Sequence, residues 1–513
     1  MNGLGRVFNR AYEAGEDILG KSWPVAALAL FVYAVAAFVL LTKVSLPSPL
    51  HLLVYTMAFA VMIMTFAKIE LGVIGLALMM PFARPGFTIG PDKVFHVSGF
   101  NVALLGVLVV YIVRYLSDKE FASRGPMFRR SRLDPVVAIY VALITLSTLA
   151  AINLNPGWVA RARILLYYKE QILYFAWFYL ILTLLRSPED VRRFAIAFGM
   201  AGMLVAILGV YTRLTGGMHG AEVMDEEVLE AGVAGGRVGG GWLGLTHANF
   251  FAAFLIMTIP IWFFISDHFK HLAHRVLAQA VTLTGFLGIL FTYSRSAWGG
   301  VLGGIALMGM RDGRTFRKIV LFFILFALVG QAVALSTSGA GLFEVIALRF
   351  EQLGRSAYSG RPAIYEKVSA VVAAHPLMGV GLGVFGLHSE SPWATGRRLT
   401  HAHNLVLNTV AECGLPAAAA FVALLASVFV LAVVNVRKLG GVPGYAFVAQ
   451  GTFVAYFAIL AQAMFVHIFM HREIGYTFFT LVAIVVALNR MVIEGRLPKP
   501  HGEEHVDTVW TSG

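Results

Sequence analysis

Charge is scarce in this sequence and cysteine nearly absent. Asp, Glu, Lys and Arg make up only 13% of the 513 residues, while 58% are hydrophobic. A soluble domain of this length carries about twice that charged share, so an ordinary water-soluble fold is excluded. Cys413 is the single cysteine and lies in an apolar segment. No disulfide can form within the chain, and no site can be built from several cysteines. The period-two alternation of a membrane barrel is missing. So is any internal repeat that would suggest an inverted-repeat transporter.

In place of these features are long apolar runs, with a mean hydropathy of +0.76. Runs of about 17–25 residues are long enough to cross a hydrocarbon core as helices. Helices are the expected solution because lipid cannot satisfy open backbone groups. A rule of about 20 residues per crossing gives about 14 spans, at 23–42, 50–66, 69–84, 99–116, 134–152, 164–185, 194–214, 249–266, 276–293, 297–311, 318–335, 404–434, 446–467 and 474–491. The expected fold class is therefore all-α, a polytopic membrane protein of about 12–14 transmembrane helices.

The net charge of +12 points to topology, and no nucleic-acid partner is expected. Its basic residues concentrate in segments 114–132, 186–193, 270–275, 311–318 and 437–438. With the spans above, all five fall on one side, which the positive-inside rule assigns to the cytoplasm. Residues 1–22 are then a cytoplasmic lead-in of mixed charge rather than a cleaved signal. Residues 23–335 hold helices 1–11 with an outward loop at 215–248. A large outward loop follows at 336–403, then helices 12–14 at 404–491 and a cytoplasmic tail at 492–513. The loop at 336–403 is too long for an idle connection. The acidic stretch Glu222, Asp225, Glu226, Glu227 and Glu230 in the earlier outward loop reads as a solvated segment, with a divalent-ion site as the alternative.

Several outward residues can carry chemistry. Arg295, in Tyr293-Ser294-Arg295-Ser296-Ala297-Trp298, stands where one apolar run ends and the next begins. It must reach the interface or meet an anion. Arg361 precedes Pro362 and a helical stripe of Ile364, Val368, Val371 and Val372. Proline suits a first helical turn, so Arg361 falls at a helix N-terminus, which favours an anion. Two readings stay open: a phosphate clamp, or a helix lying on the membrane among lipid headgroups. The glycine-rich stretch from His375 to Phe385 has no strand–helix context for a dinucleotide loop and reads as a turn-rich connection.

His401 and His403 precede Asn404 and a long apolar run, with Glu412 two turns in. A neutral imidazole there can take a proton from a sugar hydroxyl. The same spacing also fits a metal or a plain interfacial pair, although no carboxylate–histidine set at ligand spacing accompanies it. Asn404 could fix a ligand or cap the helix, and Arg237 and Asn249 flank the eighth span, where each suits capping or ligand contact. Arg161, Arg163, Lys169, His467, His471 and Arg472 also fall near the outward face.

Together these motifs resemble the bacterial O-antigen ligase and polymerase superfamily. The resemblance is carried by Arg295 in Ser-Arg-Ser-Ala-Trp, Arg361 in Gly-Arg-x-x-Ile-Tyr, His375-Pro376-x-x-Gly-x-Gly, and His403-Asn404 followed by Glu412-x-Gly414. It extends over roughly residues 237–416. It implies a membrane glycosyltransferase of the helical GT-C type that needs no cofactor and no metal. Such an enzyme takes a glycan from an undecaprenyl diphosphate carrier, places it on a hydroxyl acceptor (lipid, glycan, or protein serine or threonine) outside the cytoplasmic membrane, and inverts the anomeric centre. By this resemblance Arg295 and Arg361, with Arg237, hold the diphosphate and His403 acts on the acceptor hydroxyl. His401, Asn404, Asn249 and Glu412 are secondary candidates.

Overall fold

The computed structural model describes residues 49–83, 86–89, 95–123, 125–214, 221–222, 237–238, 248–311, 313–338, 361–388 and 401–497, with isolated residues between 341 and 347. The span expected at 23–42 and nearly all of the 215–248 loop lie outside the described residues, as do the termini and parts of the 336–403 loop.

The described chain is helical apart from two short hairpins. In order the helices are α1 (Pro49–Ala67), α2 (Ile69–Met79), α3 (Gly99–Ser117), α4 (Lys119–Ser123), α5 (Asp134–Leu154), α6 (Trp158–Leu184), α7 (Pro188–Leu214), α8 (Ala248–Ile265), α9 (Leu272–Phe291) and α10 (Arg295–Gly309). They continue with α11 (Gly313–Ser338), α12 (Arg361–Ala374), α13 (Phe385–His388), α14 (Leu405–Leu439), α15 (Ala446–Ala463) and α16 (Arg472–Ile493). Antiparallel strands β1 (Gly86–Ile89) and β2 (Phe95–Ser98) form one hairpin, and β3 (Ala221–Glu222) pairs with β4 (Arg237–Val238). The sequence pattern does not signal these hairpins, because four residues or fewer per strand give no readable alternation.

Among the described residues nine helices are long and apolar enough to cross a membrane. This is a polytopic all-α membrane protein. α6 has 27 residues but carries Arg161, Arg163, Lys169 and Glu170. Lys169 and Glu170 are paired, as described below, and Arg161 Nε donates to the Ile152 and Asn155 carbonyls at 3.1 and 2.9 Å. α8 and α15 pack at the centre: α8 is buried nearly throughout, and Gly451 of α15 admits the backbone of Ile261 so closely that an added Cβ would lie 2.7 Å from its Cα.

α14 decides where the residues that precede it in the chain go. Its 35 residues would span about 52 Å as a straight helix, well beyond a hydrocarbon core of about 30 Å. It is broken at Gly414, which takes φ 83° and ψ 170°, just before Pro416. Glycine alone adopts this conformation cheaply, and proline cannot extend the preceding hydrogen-bond ladder. The arm from Leu405 to the break can therefore turn away from the main rod.

Candidate functional site

Arg295 is placed by a tight turn between α9 and α10. Tyr293 takes φ 52°, an uncommon conformation for a residue with a side chain. The turn is held by the Ser294 N–H donating to Thr292 Oγ1 at 3.2 Å and by the Trp298 indole N–H donating to the Ile289 carbonyl at 3.1 Å. Arg295 is the first residue of α10, where backbone N–H groups lack intrahelical acceptors and the helix dipole favours an anion.

The height of Arg295 in the bundle follows from glycine contacts. A Cβ at Gly300 would lie 3.0 Å from Ala458 Cα, and one at Gly304 would lie 3.3 Å from Val454 Cα. The two helices therefore run antiparallel, and continuing that register brings Arg295 level with the C-terminal end of α15. Gln462, at that end, donates to the backbone carbonyl of Asn249 at 2.8 Å. The second residue of α8 thus sits at the same level.

The histidine segment reaches this same end. Asn404 caps α14, its side-chain oxygen accepting from Val406 N–H at 2.9 Å and Leu407 N–H at 3.0 Å. Its amide nitrogen donates to the Met464 carbonyl, immediately after α15, at 3.0 Å. Asn404 is therefore a cap and a tether. His403 takes φ 50°, and its ring stands 4.2 Å from that of His401, centroid to centroid. The His467 ring lies 6.1 Å from that of His401. His467 is 8% exposed. Burial, with the nearby His403 and His471, pushes its pKa down to about 3, so its ring is neutral at physiological pH. His471 packs on Phe250 with ring centroids 3.7 Å apart, and its Nδ1 lies 3.3 Å from the buried Glu473 carboxylate. Arg472 and Lys169 both pair with Glu170, at 3.0 and 3.1 Å.

Arg361 is the first residue of α12, and its side chain lies outside what is described. Ile364, Val368 and Val371 are buried in a cluster with Ala402, Ala411, Val380, Val384 and Phe385. The stripe read from the sequence thus packs on protein rather than on lipid. It brings the first turns of α12 into the same cluster as the residue between the two histidines. Arg237 falls on β4, paired with Glu222 through the backbone. Its side chain is likewise outside the described residues.

Glu412 has a different place. It is 3% exposed, and its carboxylate is hydrogen-bonded by the backbone N–H groups of Gly383 and Phe385 and by the Asn408 side chain. The loop from His375 to Val384 is laced to the broken helix by Val380 N–H to the Ala411 carbonyl at 3.0 Å, Gly381 N–H to the Glu412 carbonyl at 2.9 Å and Leu415 N–H to the Pro376 carbonyl at 2.8 Å. Ser147 and Asn155 of the α5 end bind its Met378 and Val380 carbonyls at 2.7 and 3.0 Å. Glu412 therefore holds the loop and the arm together. Sequence reasoning misses Asn408, Ser147 and Asn155. Only Asn408, one turn before Glu412 in an apolar run, carries a local sign. His388 bonds Asn155 at 2.9 Å, and burial followed by the nearby His375 lowers its pKa.

The arrangement gathers basic and imidazole groups at the helix starts of one end of a membrane bundle. Arg295, the histidine pair, His467 and His471 belong to it, with Asn249 at the same level. Among the described residues no group of three or more His, Cys, Asp or Glu side chains is placed to hold a metal. Residues 280–422, from within α9 into α14, match the family model described as O-antigen ligase. That stretch holds Arg295, Arg361 and His403 and is similar to the O-antigen ligase and polymerase superfamily. Arg237, Asn249 and His467 fall outside it. No curated protein matches the chain.

Proposed function

We propose that the protein transfers a glycan from undecaprenyl diphosphate to a hydroxyl acceptor at the outer face of the bacterial cytoplasmic membrane, as an O-antigen ligase-type glycosyltransferase. The observation that supports this most is a shared level in the bundle: Arg295 stands level with the end of α15 to which Asn404, next to His403, is tethered. A diphosphate leaving group needs its charge neutralised as the glycosidic C–O bond breaks, and preorganised guanidinium groups at helix N-termini supply that.

In this reading the acceptor oxygen attacks the anomeric carbon while His403 takes its proton. The bond to the diphosphate oxygen breaks, and its electron pair leaves with undecaprenyl diphosphate, held by Arg295 and Arg361. A single displacement inverts the anomeric centre. The proton then passes from His403 to water, so no metal or cofactor enters the balance. A polymerase would use the same donor chemistry with a second lipid-linked glycan as acceptor.

Purified protein supplied with a labelled glycan on undecaprenyl diphosphate tests the reading. Appearance of label on a hydroxyl acceptor, with release of the diphosphate carrier, supports it. Movement of the intact donor across a vesicle membrane without bond cleavage would make the protein a transporter.

A further inference from the structure

A second charged site sits at the other end of the bundle. Arg490 is 18 residues along α16 from Arg472, about 27 Å at 1.5 Å per residue. Around it converge Arg114 from the end of α3, Arg129 from the loop before α5, Arg186 after α6, and Arg496 after α16. The guanidinium groups of Arg114 and Arg186 both lie over the Phe121 ring, 5.5 and 5.1 Å from its centre. Arg496 donates to the Arg186 carbonyl at 3.1 Å, and Arg490 donates to the Leu182 carbonyl at 3.0 Å and to the Leu185 carbonyl.

Counter-charge is thin here. Asp118 lies 3.9 Å from Arg114, and Glu494 lies 2.8 Å from Arg496 and 4.0 Å from Arg490. Arg129 and Arg186 have no ion pair among the described residues. The Nε atoms of Arg186 and Arg490 are buried without a hydrogen-bond partner. The Arg129 pKa is lowered, first by burial and then by Arg186 and Arg496. Placing basic residues on one side needs only that they stay near the interface. It does not require four chain segments to crowd them together with donors left unsatisfied, which is costly unless an anion completes the group.

We propose that Arg114, Arg129, Arg186, Arg490 and Arg496 form a binding site for the phosphate headgroup of an anionic phospholipid. Guanidinium forks match phosphate oxygens, and basic pockets at helix ends suit such headgroups. The chain neighbours of the site favour a lipid over free phosphate. Leu116, Phe128 and Ile493 are large apolar side chains left exposed beside Arg114, Arg129 and Glu494, so charge and apolar surface adjoin as headgroup and acyl chain do.

The test uses full-length protein, delipidated in an uncharged detergent, and reads its thermal unfolding midpoint and the lipid it retains in native mass spectrometry. Phosphatidylglycerol should raise the midpoint by several degrees, because a ligand of the folded state stabilises it, and should be retained in preference to phosphatidylcholine. Arg129→Gln with Arg496→Gln should abolish the shift, while Arg437→Gln with Lys438→Gln keeps it. Should the first pair not fold, the wild-type lipid preference decides alone. Equal effects of the two lipids, or an undiminished shift in the folded Arg129/Arg496 variant, would overturn the site. Inorganic phosphate matching phosphatidylglycerol would overturn its assignment to lipid.

Discussion

The Asn404 side chain donates to the Met464 carbonyl at 3.0 Å. Through that bond the residue after His403 is pinned to the end of α15, the helix against which the arginine-bearing α10 packs. Two segments more than 100 residues apart in sequence are thereby held at one level of the bundle, and the proposed chemistry depends on it.

Replacing either arginine should remove the proposed clamp. Arg295→Ala and Arg361→Ala are each expected to lower turnover by about 10²–10³-fold, the usual cost of losing one preorganised donor to developing charge. Membrane insertion should be unchanged. Initial rates with a labelled lipid-linked donor check this, and normal turnover in both variants would remove the clamp.

The two histidines are separable. His403→Ala should cost about 10²–10⁴-fold, as for a general base, and His401→Ala less. Both rates are measured at saturating donor. The reverse order would reassign the base to His401.

Helix positions are largely legible in the sequence. Lipid forces backbone groups into helices, so apolar runs mark them closely: the run at 404–434 opens one residue before α14, at its cap. Arg295 between two runs and Asn404 before a third are helix-start signatures with a local cause. The approach of His467 to His401 leaves no trace, because contacts across more than 60 residues depend on helix packing. Glu412 is visible as a charge in an apolar run, but nothing near it in the chain says that Gly383 and Phe385 take it up. The crowding of Arg129, Arg186 and Arg490 is hidden for the same reason, since hydropathy places each arginine on a side without placing it beside another.

Gly414 and Gly299 should respond with opposite signs to alanine. A Cβ at Gly414 would stand 2.1 Å from the Leu377 carbonyl oxygen, at φ +83°. Gly414→Ala should therefore lower stability by at least about 1–3 kcal/mol and loosen the loop. Nothing lies within 4 Å of a Cβ at Gly299, on α10, so Gly299→Ala should be neutral or stabilising by up to about 1 kcal/mol. Thermal unfolding in detergent reads both, and equal shifts would contradict the packing.

His467 sets an acid limit. Its pKa falls from 6.5 in the unfolded chain to about 3 in the folded one. Between these values the unfolded state binds a proton that the folded state does not. Its contribution is fully present above pH 6.5 and is lost as pH drops toward 3. His467→Gln should flatten the acid side of the stability–pH curve in that window, and an unchanged slope would show that the ring is not held neutral.

A chelator should leave transfer intact, since in the proposed mechanism guanidinium groups carry the leaving-group charge. Inactivation reversed by a divalent ion would point instead to the acidic stretch between Glu222 and Glu230.

The most direct measurement is an experimental structure of the full-length protein with a non-hydrolysable glycosyl undecaprenyl diphosphate bound. The guanidinium groups of Arg295 and Arg361 should lie within about 3 Å of phosphate oxygens, with the His403 ring facing the anomeric carbon from the opposite side. A headgroup seated away from α10, or at the end of the bundle that holds Arg490, would contradict the account.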